Sequence, residues 1–417
     1  MSGISTLKAV SSRFAEEASF IWQLRTTAVR SPNFELEGLS KLDSRLDAHL
    51  DGLRIEGLPA WANVKQELRW SEAGAFFVAA HIAFDGVDHQ RIGLLLEAID
   101  AAVSGMPSAA SAIGWLSPEQ AVMHIGALLS SDSVPSRRIA IAGAAIHRID
   151  PREALTYAAS DVDTPLRTRA MKAIGELGRV DLLPTLVANL SDEDPACRYW
   201  AAWAHVLRAP DPALGMMTLR QIGEAGGAFA ARAAAMVVRR MEPQAARLWY
   251  RKLTDVRSAI IASGAVGDPD AIPWLMEFMN QLPLARVAGE AFSMITGADL
   301  KYLDLDAKPR PNYDAGPTED PKDENVELDP DENLPWPDVK LIAKWWAGQS
   351  AGYARGTRYL CGKPMTVENL QQVLRTGYQR QRAAAAIELV LRQPGTVLFN
   401  VAAPGFRQKE LLGLALP

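Results

Sequence analysis

Between Asp161 and Leu207 apolar residues recur at intervals of three and four, break at a short polar turn, and then recur. Leu166, Ala170, Ala173, Ile174 and Leu177 fall on one helical face, and Leu182, Leu183, Leu186, Val187 and Leu190 on one face of the next helix. The first helix opens at Asp163-Thr164-Pro165, a capping side chain followed by a proline whose missing N–H costs nothing in the first turn, and Gly178 can end it. Ser191-Asp192-Glu193-Asp194-Pro195 restarts the phrase. Two helices of this length cannot bury so much apolar face by themselves, so neighbouring pairs must stack on them. The pattern predicts an α-solenoid.

Further copies follow the phrase Arg-x-x-(small or apolar), which opens the helix after each turn. It occurs at Arg137/Ala140, Arg167/Ala170, Arg198/Ala201, Arg232/Ala235, Arg257/Ile260 and Arg286/Gly289, with successive arginines 30, 31, 34, 25 and 29 positions apart. That period is short beside the roughly 40 residues of many HEAT repeats and suits a compact HEAT-like unit. Asp163 and Asp194 stand four residues before their arginines, which reads as a structural ladder tying turns to neighbouring repeats. Helix formers dominate and alternating β-branched runs are scarce. The expected fold is therefore all-α: a HEAT-like α-solenoid of antiparallel helix pairs, with an N-terminal helical cap and a C-terminal helical unit bearing a small β element.

Four segments are expected. Residues 1–116 form the cap and an irregular first repeat; Leu39, Leu42, Leu46, Leu50 and Leu53 make an apolar stripe that packs onto the first repeats, with His49 at its boundary. Residues 117–300 carry the repeats. Residues 301–335 form an acidic, Pro-rich loop: Tyr313 to Leu334 holds nine Asp or Glu against the single Lys322, with prolines at 317, 321 and 330. Such a stretch cannot bury enough apolar surface to offset its ordering entropy, and reads as exposed and partly disordered. Within it, Asp329-x-Asp331-x-Asn333 is similar to the start of a calcium loop, but Leu334 stands where glycine is needed. Residues 336–417 form the C-terminal unit, docked by Trp336, Trp345 and Trp346, with Gly395–Val401 as a candidate strand.

The formal net charge of −5 advertises no nucleic-acid or anionic-membrane partner. The longest apolar stretch, Ala73 to Phe84, is too short to span a bilayer and no signal-peptide pattern opens the chain, so a cytoplasmic protein is expected. Cys197 and Cys361 are the only cysteines, which leaves no thiolate metal knuckle, and both read as small buried residues. HEAT-like di-iron hydroxylases place His-Glu pairs on repeated helices, whereas the histidines here read His49-Leu, His81-Ile, His89-Gln, His124-Ile, His147-Arg and His205-Val. His205 aligns with Ile174 and reads as interior. Phosphate-loop, nucleophile-elbow, zincin and dinucleotide motifs are missing from the sequence. No cofactor, metal or catalytic residue is expected, and the protein reads as a non-enzyme.

A binding surface is better supported. Tyr199, Trp200 and Trp203 interrupt an otherwise aliphatic helix series, and aromatics with Arg are the side chains that most often anchor protein interfaces. With Arg169 and Lys172 on the preceding repeat they form the expected partner-binding residues. The competing class is a HEAT-like, glycosylase-like enzyme acting on nucleic acid, which would need Arg169, Lys172, Arg239 and Arg240 in one positive groove.

The phrase LDSRLDAHLDGLRIEG, the central repeats and the block GTRYLCGKPMTVENLQQVLRTGYQRQRAAAAIELVL together resemble a bacterial HEAT-repeat protein family found in type VI secretion gene clusters. The resemblance covers nearly the whole chain, and its two end blocks are the specific part. It implies a cytoplasmic accessory of toxin delivery whose partner is a protein, a secretion component or an effector: an effector adaptor, a chaperone-like factor or an immunity-type binder.

Overall fold

The computed structural model describes residues 2–70, 72–86, 88–100, 102, 105–308, 311–313, 316 and 329–415. The chain divides into two compact units, one built from the residues up to Pro210 together with those from Gln393 onward, the other from Asp211–Arg392. The four expected segments therefore do not coincide with the units. Residues 336–417 in particular are split between them, because the chain after Gln393 is bonded to helices that precede Pro210.

In the first unit, α1 (Ser2–Ala28), α2 (Leu36–Glu56), α3 (Leu58–Glu67), α4 (Ala73–Asp85), α5 (His89–Asp100) and α6 (Gly105–Ile113) precede three helix pairs. The pairs are α7 (Pro118–Leu129) with α8 (Val134–His147), α9 (Glu153–Ala158) with α10 (Thr164–Leu177), and α11 (Leu183–Ala188) with α12 (Pro195–Arg208). Helices α6, α8, α10 and α12 pack successively into an inner layer, while α7, α9 and α11 each lie against their own partner in an outer layer. The second unit repeats the scheme with α13 (Ala213–Ala225), α14 (Ala230–Val238), α15 (Pro243–Tyr250), α16 (Val256–Val266), α17 (Ile272–Phe278) and α18 (Leu282–Thr296), of which α14, α16 and α18 form the inner layer. It continues with α19 (Val339–Gln349), a two-strand hairpin of β1 (Tyr359–Leu360) and β2 (Lys363–Pro364), α20 (Val367–Thr376) and α21 (Gln379–Arg392). A final helix, α22 (Gly405–Leu411), belongs to the first unit. The all-α class holds, and among the described residues no helix is long and apolar enough to cross a membrane.

The pairs start and stop as their sequence dictates. Asp163 accepts from Leu166 N–H at 2.8 Å and Asp194 from Cys197 N–H at 2.7 Å, capping α10 and α12 just ahead of their first-turn prolines. Gly178 closes α10 at φ 77, a conformation a side chain would strain. Inside the inner layer, small residues set the spacing. A Cβ on Gly175 would lie 2.5 Å from the Trp203 ring, and one on Gly143 would lie 2.8 Å from Ile113 Cγ2.

The repeated arginines are scaffold. Arg167 reaches back to the Asp161 carbonyl at 2.8 Å and forward to the Asp192 carboxylate at 3.0 Å; Arg137 and Arg198 make the equivalent bonds to the carbonyls of Asp132 and Asp192. In the second unit the acidic segment supplies the counterions. Asp331 pairs with Arg257, and Asp329 with Arg286 at 2.5 Å. This corrects the reading of 301–335 as an exposed loop through Leu334, since Asp331 and Leu334 are buried, and it also takes both carboxylates away from any calcium role. The rest of the acidic run, at 314–315 and 317–328, lies outside the described residues.

Three further expectations change. The leucine stripe of α2 packs against α1, α4 and α22 instead of the repeats, and α22 approaches so closely that a Cβ on Gly405 would lie 2.7 Å from Ser40 Cα. The β element is the Tyr359–Pro364 hairpin and does not lie at Gly395–Val401. That stretch is a strap without strand partners, and it spends its backbone on helix ends. Leu398 N–H donates to the Glu176 carbonyl at 3.1 Å, Asn400 Nδ2 donates to the Ile146 carbonyl at 3.1 Å, and the Leu398 carbonyl accepts from Arg148 Nε at 2.6 Å. Cys197 is buried as expected, whereas Cys361 is only half-buried. Trp345 does pack edge-on to Phe292 in the core of the second unit, as docking requires.

Arg208 joins the strap to the repeats. It is fully buried, its Nε and Nη2 donate to the Gly175 carbonyl at 2.8 and 2.6 Å, and its Nη1 donates to the carbonyls of Pro394, at 2.8 Å, and Thr396. Burial, with Arg148 nearby, pulls its pKa down to about 10, so it stays charged at neutral pH. Arg208→Ala strands those carbonyls at once. Urea titrations should show a loss of about 3–5 kcal/mol, the range for breaking a buried charged network; a loss under about 1 kcal/mol would show the strap to be dispensable.

Candidate functional site

The five expected partner-binding residues do not form an exposed anchor. Tyr199 is 2% exposed and Trp203 7%, because α12 turns both into the layer between repeats, where Gly175 makes room for the Trp203 ring. Only Trp200 is half-buried, with Tyr199 and Trp203 edge-on to it at 5.0 and 5.3 Å. The aromatic patch is thus mainly inter-repeat packing, as the helix position dictates: the face that meets Ala170 and Ile174 of α10 must be filled.

Arg169 and Lys172 behave differently. With Glu176 they stand at positions i, i+3 and i+7 of α10, on the side turned away from the outer layer, and they line a cleft of about 420 Å³ in the first unit. Its other walls are α6, α8, the end of α1, and Asn400 to Pro404 after the strap. Its floor is apolar, from Met106, Pro107, Ala110, Ile139, Ala142 and Ile146, and its cationic lining is Arg30, Arg138, Arg148, Arg169 and Lys172 besides Arg25. Among the described residues Glu176 is the sole acidic one lining it. Arg25 is already matched: Nε bonds Asp43 at 2.6 Å, Nη2 bonds the Ala402 and Ala403 carbonyls at 3.0 Å, and the guanidinium lies 4.9 Å from the Trp115 ring centre.

Glu176 holds the rim together. Its carboxylate lies 2.9 Å from Arg169 Nη2 and 3.8 Å from Lys172 Nζ. Burial pushes the Glu176 carboxyl up, but Arg169, Lys172 and Arg148 outweigh it and hold it at about 2. Glu176 in turn raises the Lys172 ammonium, yet burial and the neighbouring Arg169, Arg148 and Arg30 prevail, so Lys172 titrates below the usual lysine range. Lys172 Nζ also sits 4.7 Å from the Trp200 ring centre, which ties Trp200 to the cleft edge. Burial likewise lowers Arg138 and Arg148, with Arg169 adding repulsion to each.

Sequence spacing could have joined Arg169, Lys172 and Glu176, but not the rest, since Arg30 follows α1, Arg138 and Arg148 belong to α8 and its C-cap, and Asn400 lies in the strap. Arg239 and Arg240, the other half of the proposed positive groove, belong to the second unit, where Arg239 Nη1 bonds the buried Glu388 at 2.7 Å. Burial holds His147 down at about 4 and lifts the Cys197 and Cys361 thiols to about 11 and 12. Among the described residues no group of three or more His, Cys, Asp or Glu is placed to hold a metal. Comparison with family models, with curated proteins and with solved structures gives no match to this chain.

Two outcomes follow. Trp203→Ala should cost about 3–5 kcal/mol of stability through the cavity it opens; a melt within a degree or two of wild type would return Trp203 to the surface. Because the folded pKa of Glu176 lies below its ordinary 4.5, its stabilisation is present in full above about pH 4.5 and lost as pH falls toward 2. Glu176→Gln should therefore lower the unfolding free energy by on the order of 3 kcal/mol at pH 7. That gap should close on acidification in parallel urea titrations, and a pH-independent gap would contradict the assigned electrostatics.

Proposed function

We propose that this chain is a non-enzymatic protein-binding scaffold, and that its setting is the one its end blocks resemble: a bacterial cytoplasmic accessory of type VI secretion, acting as an effector adaptor, chaperone-like factor or immunity-type binder. The observation that carries protein binding is the asymmetry between layers. In the first unit the outer helices leave Val122, Met123, Tyr157 and Val187 at 39–72% exposure, and in the second Leu214, Met217 and Leu248 at 48–62%. Among the described residues the inner helices of the pairs expose no comparable apolar side chain except Leu282, at the start of α18. Single exposed apolar residues are ordinary, but one or more on each outer helix from α7 to α15 is a feature that stacking does not require. The rival reading, an enzyme on nucleic acid, is weakened by the commitment of Arg239 to Glu388.

The test combines capture with a surface variant. A tagged chain is cross-linked in cells carrying a type VI secretion cluster, and its partners are identified by mass spectrometry beside a Met123→Asp, Tyr157→Asp, Val187→Asp triple variant. Changes at exposed sites alter stability by roughly 0.5 kcal/mol each, so the variant should melt within a few degrees of wild type. It should lose a partner retained by wild type, with each anchor worth about 2 kcal/mol. Identical partner sets would sink the outer-layer surface, and a set without any secretion component or effector would sink the secretion setting.

A further inference from the structure

The cleft of the first unit gathers positive charge: Arg138, Arg148, Arg169 and Lys172 line it beside one carboxylate among the described lining residues, Glu176, in a chain whose formal net charge is −5. Some structural arginines are paired one to one, as Arg167 is with Asp192 and, in the second unit, Arg257 with Asp331. The cleft departs from that pattern. Arg138 has the Asp163 carboxylate only as a charge acting from beyond bonding distance, and Arg169 Nη1, buried from solvent, has no acceptor. A buried guanidinium N–H without a partner is destabilising, more so because the group is charged, and neighbouring cations repel one another. An anion entering the cleft removes both penalties together.

We infer that this cleft is a binding site for a small, multiply charged oxyanion with an apolar portion, a phosphate- or carboxylate-bearing compound of metabolite size. Guanidinium forks suit the planar edges of both phosphate and carboxylate, and more than one fork here selects for more than one negative charge. Its volume of about 420 Å³ matches small-molecule sites, which span roughly 300–1,000 Å³. The floor of Ile139, Ala142 and Ile146 accepts the apolar portion, and Glu176 fixes the direction of the Arg169 and Lys172 side chains until the ligand arrives. The site is separate from the outer-layer surface and does not depend on the protein-binding reading.

Calorimetry and thermal melts of the full chain test this with pyrophosphate, citrate and ATP, each against sodium chloride at equal ionic strength. At least one probe should bind with a dissociation constant below 1 mM and raise the melting temperature beyond the salt control. Arg138→Gln with Lys172→Gln should weaken it at least tenfold, while Arg138→Lys with Lys172→Arg, which keeps the charge, should stay within about threefold and show that the loss is not a failure to fold. Tighter binding of pyrophosphate than of citrate at equal charge would assign phosphate as the source, and the reverse would assign carboxylate. The inference is overturned if no probe binds wild type below 5 mM, or if both double variants bind as wild type does. It is equally overturned if a single-stranded oligonucleotide or a hexaglutamate peptide binds more tightly and pyrophosphate does not displace it.

Discussion

The structure depends on how closely one inner helix can approach the next. Gly143 faces Ile113, and Gly175 faces the Trp203 ring, at distances where no side chain could stand. Close approach lets wide apolar faces bury one another with few voids, and close packing is what gives buried apolar surface its full value. The capping aspartates, the first-turn prolines and the arginine bonds between turns then serve a common end. They hold each pair at the tilt that keeps the glycine contacts closed.

This hierarchy explains why the repeats were legible in the sequence and the cleft was not. Asp163, Pro165, Arg167 and Gly178 act within one or two turns of the chain, and local chemistry of that kind leaves a spacing to read. Tyr199 and Trp203 were placed on the right helix and the wrong face, because the choice between solvent and neighbour rests on Gly175, one repeat away. The cleft draws on α1, α6, α8, α10 and the chain near Asn400, and no spacing in the sequence joins Arg30 to Arg138 or Asn400 to Ile146. The acidic run showed the same limit in reverse. Its composition describes an unpartnered segment, yet Asp329 and Asp331 find Arg286 and Arg257, two arginines of the repeat phrase.

Charge is used in two ways. In the turns and in the Glu388 cluster, where Arg239, Arg358 and Arg392 all meet one buried carboxylate, opposite charges are assembled so that desolvation is offset by several short bonds. Around Glu176 the bonding is incomplete, because Arg169 Nη1 is buried without an acceptor. The first arrangement favours one rigid geometry, and the second favours whatever supplies the missing acceptor.

The strap carries a consequence for how the protein is made. Arg208 is synthesised long before Pro394 and Thr396, and the second unit lies between them in the chain. During translation the helices of the first unit can stack, but the ends of α8, α10 and α12 stay open until the ribosome has finished the second unit and more. The nascent first unit therefore has a long interval in which its inner-layer ends and a buried-to-be guanidinium face solvent, whereas the second unit is contiguous and can close as soon as its own residues emerge. A product stalled just before Gln393 would contain a complete second unit and an unfinished first one, so quality control that senses exposed helix ends would read the arrival of the strap.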